Sequence, residues 1–564
     1  MLVAIAIWIE VIAMSRLSRS LLAVATIIMV AILSFAIAPG AARAADTGAI
    51  TVDGTVATRY DAYQLFSATV VDDDDAGQKI ATDVTWANGV VRQAVLPVLH
   101  DAGLDSSAST AQEAAEWMNA DGHMTTALTA KLARAICNAD ATSVALNAGT
   151  AAELPCGYWL IVADDDAIAQ GEAGTAPIMA LVGGSAVTVK PKAATPKVSK
   201  HVLEDSTAAW QKAADATVAD DLYWRLSATV PAGLAAYDTY TVQFVDAMGV
   251  GLDLSKVAAS MRVYVAAGAD GGFDAVACEG GNASSTPAKG WTDITSQCKV
   301  SIEGNAFTVR TGDLVAALGG ADAFTAGARV VAVYNAPLNS ACNHGIAKGN
   351  PNEVYLRYPR SPFADQSGDA GFTRTPSDDA CAYTWDLALT KRGSDGDKPL
   401  AGAVLSIADD RGRTLAVDGT WDAEGKATVT TGEDGRVTVS GVDSGKLEVR
   451  ELKAPKGYTA FEGTRSVTVK AEGLDVDQVA AAKPKLTITA ESPLRADSAD
   501  GSTGSLEASL INTPTGTPPS ITTGGFMPST GDMAMYAAAA AAVAGAALIV
   551  VALLVKRGGG SHKE

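Results

Sequence analysis

The sequence is poor in aromatic residues, histidine, cysteine and basic charge, and each shortage argues against a class of function. Aromatic residues make up 6% of the 564 positions, five residues are histidine, and 43 basic residues face 63 acidic ones. The formal net charge of −20 argues against nucleic acid as a partner, because phosphate binding needs clustered lysine and arginine. A negative charge of this size instead helps to keep a surface protein soluble.

The motifs of common enzyme classes are missing as well. The chain has no His-Glu-x-x-His, no Gly-x-Ser-x-Gly and no phosphate-cradling glycine loop. No Cys-x-x-Cys occurs and the histidines lack ligand spacing, so zinc chemistry is not expected. Acidic runs at 72–75 and 164–166 have the residue type that calcium prefers, but we interpret them as solvated loops. The sequence predicts no enzyme acting on a substrate, no metal site and no cofactor.

Both ends of the chain carry segments typical of export and anchoring. Arg16 and Arg19 precede an uncharged apolar run at 21–38, which predicts a signal peptide over residues 1–44. Near the other end, an uncharged run at 536–555 is long enough for one transmembrane helix. A positively charged tail follows this run, and its charge is expected to keep the tail on the cytoplasmic side.

A five-residue motif lies just before that apolar run and is similar to the Leu-Pro-x-Thr-Gly signal of sortase substrates. It consists of Met527, Pro528, Ser529, Thr530 and Gly531. In such substrates a sortase cysteine attacks the threonine carbonyl, here that of Thr530, and the segment from Gly531 onward leaves. Methionine replaces the usual leucine at the first position and offers a similar-sized, flexible apolar side chain.

Export would place the six cysteines in an oxidising compartment, where disulfides form. Fifteen pairings of six cysteines exist in principle. We predict pairing between sequence neighbours, since each bond then closes a short loop. The predicted pairs are Cys137 with Cys156, Cys278 with Cys298, and Cys342 with Cys381.

Between the two ends, apolar and polar residues mostly alternate, as at 435–439, 447–450 and 466–469, and turn-forming residues separate the stretches. This pattern predicts a mostly β protein of tandem immunoglobulin-like β-sandwich domains. One helical stretch, about 109–136, is expected in the first domain. The predicted order is a domain at 45–190, a domain at 191–362, a linker at 363–379, a domain at 380–513, a stalk at 514–526 and the anchor at 527–564.

The sequence resembles the shaft pilins of sortase-assembled Gram-positive pili. The segments 389–391 and 399–403 are similar to the opening of a B-type collagen-adhesin domain. The segment 447–458 is similar to the family's E-box, with Glu451 at its acidic position, and 510–512 is similar to its final strand. The family's middle domain is similar to the segments 196–200, 244–252, 336–339 and 349–354. In the first domain the similarity is weaker and is limited to the segments 60–63 and 157–160.

The resemblance implies intramolecular isopeptide bonds between lysine and asparagine. A buried lysine loses its proton readily because desolvation disfavours the charged form, and the neutral amine can attack an asparagine amide. A buried acid can shuttle protons while ammonia leaves. The assigned sets are Lys391, Asn512 and Glu451 in the third domain, and Lys200, Asn352 and Asp246 in the second. In the second domain Asn350 is an alternative acceptor and Lys197 an alternative nucleophile, and the first domain has no convincing set.

The segment 187–192 resembles the pilin motif, in which a lysine follows a Val-x-Val strand and a proline. Lys192 is the predicted lysine that resolves the Thr530 thioester of another subunit, and Lys190 remains an alternative. The sequence departs from the family at Gly183, upstream of this segment, where tryptophan is common, and at Lys190, where tyrosine is usual.

The resemblance also implies a set of partners. It predicts a pilin-class sortase, identical subunits, peptidoglycan through a housekeeping sortase, accessory pilins and host surface ligands. The expected location is the cell wall and pilus, after a transient stage at the membrane. The competing interpretation is a singly displayed, wall-anchored adhesin that binds host matrix or glycans.

Overall fold

The computed structural model describes residues 46–73, 77–191, 195–230, 234–268, 290–320, 327–409 and 411–516. These residues form three successive β-rich units, so the mostly β prediction is confirmed. The predicted signal peptide, most of the stalk and the anchor with its apolar run lie outside the described residues. Within the described residues, no helix is long and apolar enough to cross a membrane.

The first unit contains two sheets and a layer of helices. One sheet has the strand order β5-β1-β8, and the other has β3-β2-β6-β7 with β4 added beside β2. The strands are β1 Thr47–Val52, β2 Arg59–Asp73, β3 Gln78–Trp86, β4 Val144–Asn147, β5 Ala152–Pro155, β6 Gly157–Ala163, β7 Ile178–Val182 and β8 Val187–Val189. All seven residues of β6 are buried, because β6 has the β5-β1-β8 sheet on one face and the helices on the other.

The helices of this unit are α1 Gly89–Asp101, α2 Ala111–Asn119 and α3 Thr126–Asn138. Some helix was expected here, but the single stretch at 109–136 is two helices. Gly122, with φ of 82°, lies in the break, and the side chain of Thr125 then caps α3 by accepting from Leu128 N. Helix α1 was not predicted, although its buried Val91, Val95 and Leu99 follow helical spacing.

The second unit is a pair of sheets facing each other across one core. One sheet has the order β10-β9-β12-β18-β14-β15, and the other has β11-β21-β19-β13-β17-β16 with β20 beside β19. The strands are β9 Lys197–Glu204, β10 Ala209–Gln211, β11 Ala213–Asp215, β12 Tyr223–Val230, β13 Gln243–Met248, β14 Arg262–Ala267, β15 Thr292–Asp293, β16 Lys299–Glu303, β17 Ala306–Arg310, β18 Ala328–Asn335, β19 Asn350–Pro359, β20 Phe372–Arg374 and β21 Asp378–Tyr383. Two short helices, α4 Val257–Ser260 and α5 Leu314–Ala317, complete the unit.

The predicted linker at 363–379 is wrong. Strand β20 pairs with β19, and β21 pairs with both β19 and β11, so the second unit continues to Tyr383. The segment resembled a linker because turn-forming residues dominate it, but its short strands pair with β19 and β11, which lie outside the segment.

The third unit again has two sheets around one core. One has the order β27-β22-β33-β29 with β32 beside β33, and the other has β25-β24-β23-β28-β30-β31 with β26 beside β23. The strands are β22 Trp385–Gly393, β23 Val404–Ala408, β24 Thr414–Leu415, β25 Trp421–Asp422, β26 Val429–Thr430, β27 Arg436–Val442, β28 Gly445–Lys453, β29 Tyr458–Thr459, β30 Thr464–Glu472, β31 Lys485–Ala490, β32 Leu494–Asp500 and β33 Ser505–Pro514. Strands β27, β28 and β30 contain the three alternating stretches that the sequence pattern indicated.

Polar contacts join the second unit to the third. The Trp385 indole donates to Asp215 Oδ2 at 2.6 Å, and Arg413 donates to both carboxylate oxygens of Asp220 at 2.6 and 2.8 Å. Such paired arginine–carboxylate bonds fix orientation as well as distance.

Candidate functional site

In the third unit, the first and last strands bring the predicted lysine and asparagine together. Strands β22 and β33 pair in parallel, with Lys391 opposite Leu510 and Gly393 opposite Asn512. Lys391 and Asn512 are therefore diagonal neighbours on adjacent strands. Glu451 lies on β28 of the facing sheet, so the acid approaches the pair from across the core.

All three side chains contact one another. Lys391 Nζ donates to Asn512 Oδ1 and lies 3.1 Å from Glu451 Oε1. Asn512 Nδ2 donates to both carboxylate oxygens of Glu451, at 2.9 and 3.1 Å. The acid thus contacts both the attacking nitrogen and the nitrogen that would leave as ammonia.

This cluster is closed to solvent. The side chains of Lys391 and Glu451 have no exposed surface, and Asn512 is buried. Burial lowers the pKa of Lys391 to about 8, although the adjacent Glu451 opposes the shift. A larger share of this lysine is therefore neutral, the form that can attack an amide carbon.

In the second unit the same residue types are divided differently between the sheets. Asp246 on β13 and Asn352 on β19 lie on antiparallel neighbours, with Met248 opposite Asn352. Lys200 lies on β9, which belongs to the other sheet. Here the lysine crosses the core, whereas in the third unit it is the acid that does so.

The contacts of this second cluster run through a tyrosine. Lys200 Nζ donates to Asp246 Oδ2 and to the Tyr334 hydroxyl, the latter at 2.9 Å. The Tyr334 hydroxyl donates to Asp246 Oδ2 at 2.9 Å, and Asn352 Nδ2 donates to the Tyr334 oxygen at 2.9 Å. Tyr334 therefore bonds to all three predicted residues.

The second cluster is buried completely, with Lys200, Asp246 and Asn352 each 0% exposed. Burial lowers the pKa of Lys200 to about 8 against the opposing charge of Asp246, and it raises the pKa of Asp246. The Trp224 ring centroid lies 5.6 Å from Lys200 Nζ and adds to the apolar surroundings. The first shift increases the neutral share of the amine, and the second makes the Asp246 carboxylate a better acceptor for a proton that the amine sheds.

The two alternatives for the second unit lie elsewhere. The Asn350 side chain is held by the backbone, accepting from Asn343 N at 2.8 Å and donating to Asn343 O at 2.9 Å and to Ala382 O at 3.2 Å. Lys197 is exposed. The geometry therefore favours Lys200 and Asn352 over both of them.

Sequence reasoning missed two residues of these clusters. Tyr334 lies on β18, next to the segment 336–339 that was noted only as a closing strand. Phe461 donates its backbone N–H to Glu451 Oε2 at 3.1 Å, and its ring centroid lies 6.0 Å from Lys391 Nζ. Neither residue type belongs to the lysine, asparagine and acid pattern that guided the assignment.

The lysines at the first boundary are only partly described. Lys190 directly follows β8, its side chain is 75% exposed, and its Nζ lies 3.4 Å from Asp53 Oδ2. Lys192 lies outside the described residues. Gly183 has φ of 130°, and a Cβ there would lie 2.6 Å from Val70 Cβ and 2.9 Å from Cys156 Sγ, so this fold leaves no room for tryptophan at that position.

Of the three predicted disulfides, the described residues contain neither the Cys137–Cys156 bond nor the Cys342–Cys381 bond. Cys137 is exposed and its thiol donates to the Tyr63 hydroxyl at 3.7 Å. Cys342 and Cys381 are both buried and have free thiols, and Cys342 Sγ lies 3.6 Å from His344 Nε2. Cys278 lies outside the described residues, so its pairing with Cys298 remains a prediction.

The acidic runs make local contacts. Asp72 accepts from Ser185 N at 2.6 Å and pairs with Lys79 at 3.3 Å, while Asp164 pairs with Arg59. The described residues contain no group of three or more histidine, cysteine and acidic side chains arranged to hold a metal. The sortase-like motif, including Thr530, lies outside the described residues.

The fold and the two clusters define a protein of tandem β-sandwich units with buried lysine–asparagine–acid sets, and one unit matches a known family. Residues 386–483 match the SpaA family, described as a prealbumin-like fold domain. The matched range includes Lys391 and Glu451 and ends before Asn512. This match confirms that the third unit resembles a recognised domain family, as the sequence segments indicated.

Similarity to individual proteins is partial. Over 143 residues the chain is 30% identical to the trypsin-resistant surface T6 protein of Streptococcus pyogenes serotype M6, covering 24% of this chain and 24% of that relative. The solved T6 backbone pilin of this organism has a TM-score of 0.44 at 17% identity, covering 84% of this chain and 99% of the other. The major pilin SpaD of Corynebacterium diphtheriae has a TM-score of 0.41 at 15% identity, covering 83% and 97%.

Proposed function

We propose that this chain is the major structural subunit, or shaft pilin, of a covalently polymerised cell-surface pilus that supports adhesion. The observation that carries the proposal is the pair of buried lysine–asparagine–acid clusters in two consecutive domains. Each cluster sets a lysine amine of lowered pKa beside an acid and an amide. Covalent ties of this kind suit a protein that must carry mechanical load without relying on reducible bonds.

In each cluster the neutral lysine amine attacks the asparagine Cγ and forms an amide bond. The amide nitrogen leaves as ammonia, while the acid accepts a proton from the lysine and returns one to the leaving nitrogen. In the third domain the bond would join the first and last strands, Lys391 on β22 and Asn512 on β33. In the second domain it would join Lys200 of one sheet to Asn352 of the other. The chain would act only on itself.

Assembly would use the boundary between the first and second units and the segment that follows the third unit. A pilin-class sortase cleaves after Thr530 and transfers its carbonyl to Lys192 of the next identical subunit. One head-to-tail linkage per subunit builds an open filament, because such contacts do not close on themselves. A housekeeping sortase joins the finished polymer to peptidoglycan, and accessory pilins and host ligands complete the set of partners. The precursor is secreted and held briefly at the membrane by the segment 536–555.

The test is a surface extract boiled in SDS and probed for this chain in the presence of a pilin-class sortase. The proposal expects a high-mass ladder that Lys192→Ala abolishes, while the monomer is still exported and attached to the wall. A ladder that persists in Lys192→Ala and disappears in Lys190→Ala would assign the nucleophile to the alternative lysine. A wild-type chain that never forms a ladder would instead be the singly displayed adhesin.

Pairing of Cys342 with Cys381 stays part of the proposal. Cys342 starts the segment 342–350, in which Gly345 N donates to the oxygen of Thr384, the residue after β21, at 3.0 Å. A Cβ at Gly349 would lie 2.5 Å from Cys381 Sγ. Both thiols therefore lie in the same part of the second domain. Mass spectrometry of peptides from the secreted protein without reduction would reveal the bond or two free thiols.

A further inference from the structure

The two clusters differ in how the acid reaches the nitrogen that must leave. In the third domain Glu451 accepts from Asn512 Nδ2 directly, at 2.9 and 3.1 Å. In the second domain Asn352 Nδ2 donates to the Tyr334 hydroxyl at 2.9 Å. The carboxyl oxygen Asp246 Oδ1 and the amide oxygen Asn352 Oδ1 are both buried without a hydrogen-bond partner among the described residues. The described contacts between this acid and this amide therefore pass through Tyr334.

The hydroxyl of Tyr334 uses its whole hydrogen-bonding capacity on the cluster. A tyrosine hydroxyl has one donor and two acceptor positions. Its hydrogen goes to Asp246 Oδ2, and its two acceptor positions receive Lys200 Nζ and Asn352 Nδ2, each at 2.9 Å. The ring is fully buried and stacks edge-on against Phe307 with centroids 4.8 Å apart. A side chain held this firmly keeps its oxygen between the reacting groups.

We propose that Tyr334 is a catalytic residue of the second domain, relaying a proton from Asp246 to the nitrogen of Asn352 that leaves. The inference rests on the proposed isopeptide bond between Lys200 and Asn352. It adds a fourth participant to the reaction in this domain. The described contacts of the third-domain cluster require no such relay, because its acid already bonds to the leaving nitrogen.

The reaction balances with these four residues alone. Lys200 Nζ attacks Asn352 Cγ, the new C–N bond forms, and the carbonyl electron pair moves onto Asn352 Oδ1. The proton that Nζ sheds passes to Asp246 Oδ2, its hydrogen-bond acceptor. Once the carbon is tetrahedral, Asn352 Nδ2 has a free lone pair, and the Tyr334 hydroxyl turns its hydrogen from Asp246 to Nδ2. Asp246 then gives its proton to the Tyr334 oxygen while the Tyr334 hydrogen moves to Nδ2, the C–Nδ2 bond breaks and the carbonyl re-forms. Ammonia leaves, and Asp246 and Tyr334 return to their starting protonation states.

The test compares the rate of bond formation in the full chain with and without the hydroxyl. Wild type, Tyr334→Phe and Tyr358→Phe are made by cell-free translation, and samples are quenched in denaturant at timed intervals. Digestion and mass spectrometry then measure the linked peptides of the second and third domains separately. Tyr358→Phe is the matched control, because Tyr358 lies in the same core and its hydroxyl donates to Gly171 O at 2.7 Å, away from the cluster.

Tyr334→Phe should slow the Lys200–Asn352 linkage by about 10²-fold or more, the usual scale for one proton-transfer group. The Lys391–Asn512 linkage in the same molecules should form at the wild-type rate, as should both linkages in Tyr358→Phe. Equal second-domain rates in wild type and Tyr334→Phe would overturn the relay, and so would slowing of both domains, which indicates a folding defect. A wild-type chain with no Lys200–Asn352 linkage at all would overturn the proposed bond itself.

Discussion

The two clusters each combine a lysine, an asparagine and an acid, but they divide these residues differently between the two sheets of their domain. In the third domain lysine and asparagine share a sheet and the acid faces them, whereas in the second domain asparagine and acid share a sheet and lysine faces them. The first arrangement lets Glu451 contact both nitrogens. The second leaves Asp246 bonded to the lysine and to Tyr334. In the proposed reaction, the residue types supply the chemistry, and the placement of the strands decides whether a relay is needed.

The largest expected effect comes from removing either acid. Wild-type full chain should weigh about 34 Da less than its sequence, one ammonia for each of two bonds, before any disulfide is counted. Glu451→Ala and Asp246→Ala should each reduce that loss to about 17 Da, and the remaining linked peptide should come from the untouched domain. Intact-mass measurement followed by peptide mapping checks this.

Glu448→Ala is the matched control for the first variant, since Glu448 lies on the same strand and its side chain is 45% exposed beside Lys446. It should keep the full mass loss. An unshifted wild-type mass would remove the basis for comparing two reactive clusters.

The next largest expected effect is on the free energy of unfolding when a cross-link is missing. Lys391 and Asn512 are 121 positions apart, and in the chain-entropy treatment of cross-links a loop of that size contributes about 4–5 kcal/mol. The second-domain loop of roughly 150 residues is worth about the same, because the dependence on length is logarithmic. Glu451→Gln, which blocks the bond while keeping the side-chain shape, should lower the free energy of unfolding of the third domain by that amount.

Urea unfolding of the full chain, followed by limited proteolysis at each urea concentration, separates the domains. Glu448→Gln should leave both transitions unchanged. A Glu451→Gln chain that unfolds at the wild-type midpoint would show that the bond, even if formed, does not hold the third domain together.

The sequence supplied the residue types of both clusters but not their geometry. Lys391, Glu451 and Asn512 sit in segments that resemble a family, so local motifs were enough to select them. Tyr334 carries no comparable signal, since a tyrosine in an apolar strand is usually a packing residue. Its importance comes from β18 lying in the sheet opposite β13 and β19, which depends on pairings across more than a hundred residues.

The predicted linker between the second and third domains was wrong for a similar reason. Strand β20 has three residues and β21 has six, and neither alternates strongly enough to indicate a strand. Their partner β19 determines their conformation, and no local pattern reveals it. By contrast, β27, β28 and β30 were predicted, because seven to nine residues of alternating polarity identify a half-buried strand without knowledge of its neighbours.

The pH dependence of bond formation sharpens the comparison further. Burial lowers the pKa of both Lys200 and Lys391 to about 8. Below that value the neutral fraction of each amine falls about tenfold per pH unit, so both linkages should form faster up to about pH 8 and then level off. A lysine with its ordinary value would keep gaining rate beyond pH 10. Timed mass spectrometry of freshly synthesised chain, between pH 6 and 10, measures both profiles together.

The two profiles share a midpoint because desolvation is the leading cause at both sites. A profile that keeps rising between pH 8 and pH 10 in either domain would show that its lysine is more hydrated before the reaction than the folded geometry indicates.

The smallest expected effect concerns the two alternative residues of the second domain. Lys197 is exposed, so Lys197→Ala should change neither the mass loss nor the linked peptides.

Asn350→Ala removes three bonds to the backbone and should destabilise the second domain by about 1–3 kcal/mol, yet the linkage should still form once the domain has folded. Asn352→Ala should abolish it, because the amide next to Tyr334 and Lys200 is then gone. If Asn350→Ala abolished the linkage in folded protein and Asn352→Ala retained it, the acceptor would be Asn350. The proposed proton relay through Tyr334 would then be wrong, because Tyr334 bonds to Asn352.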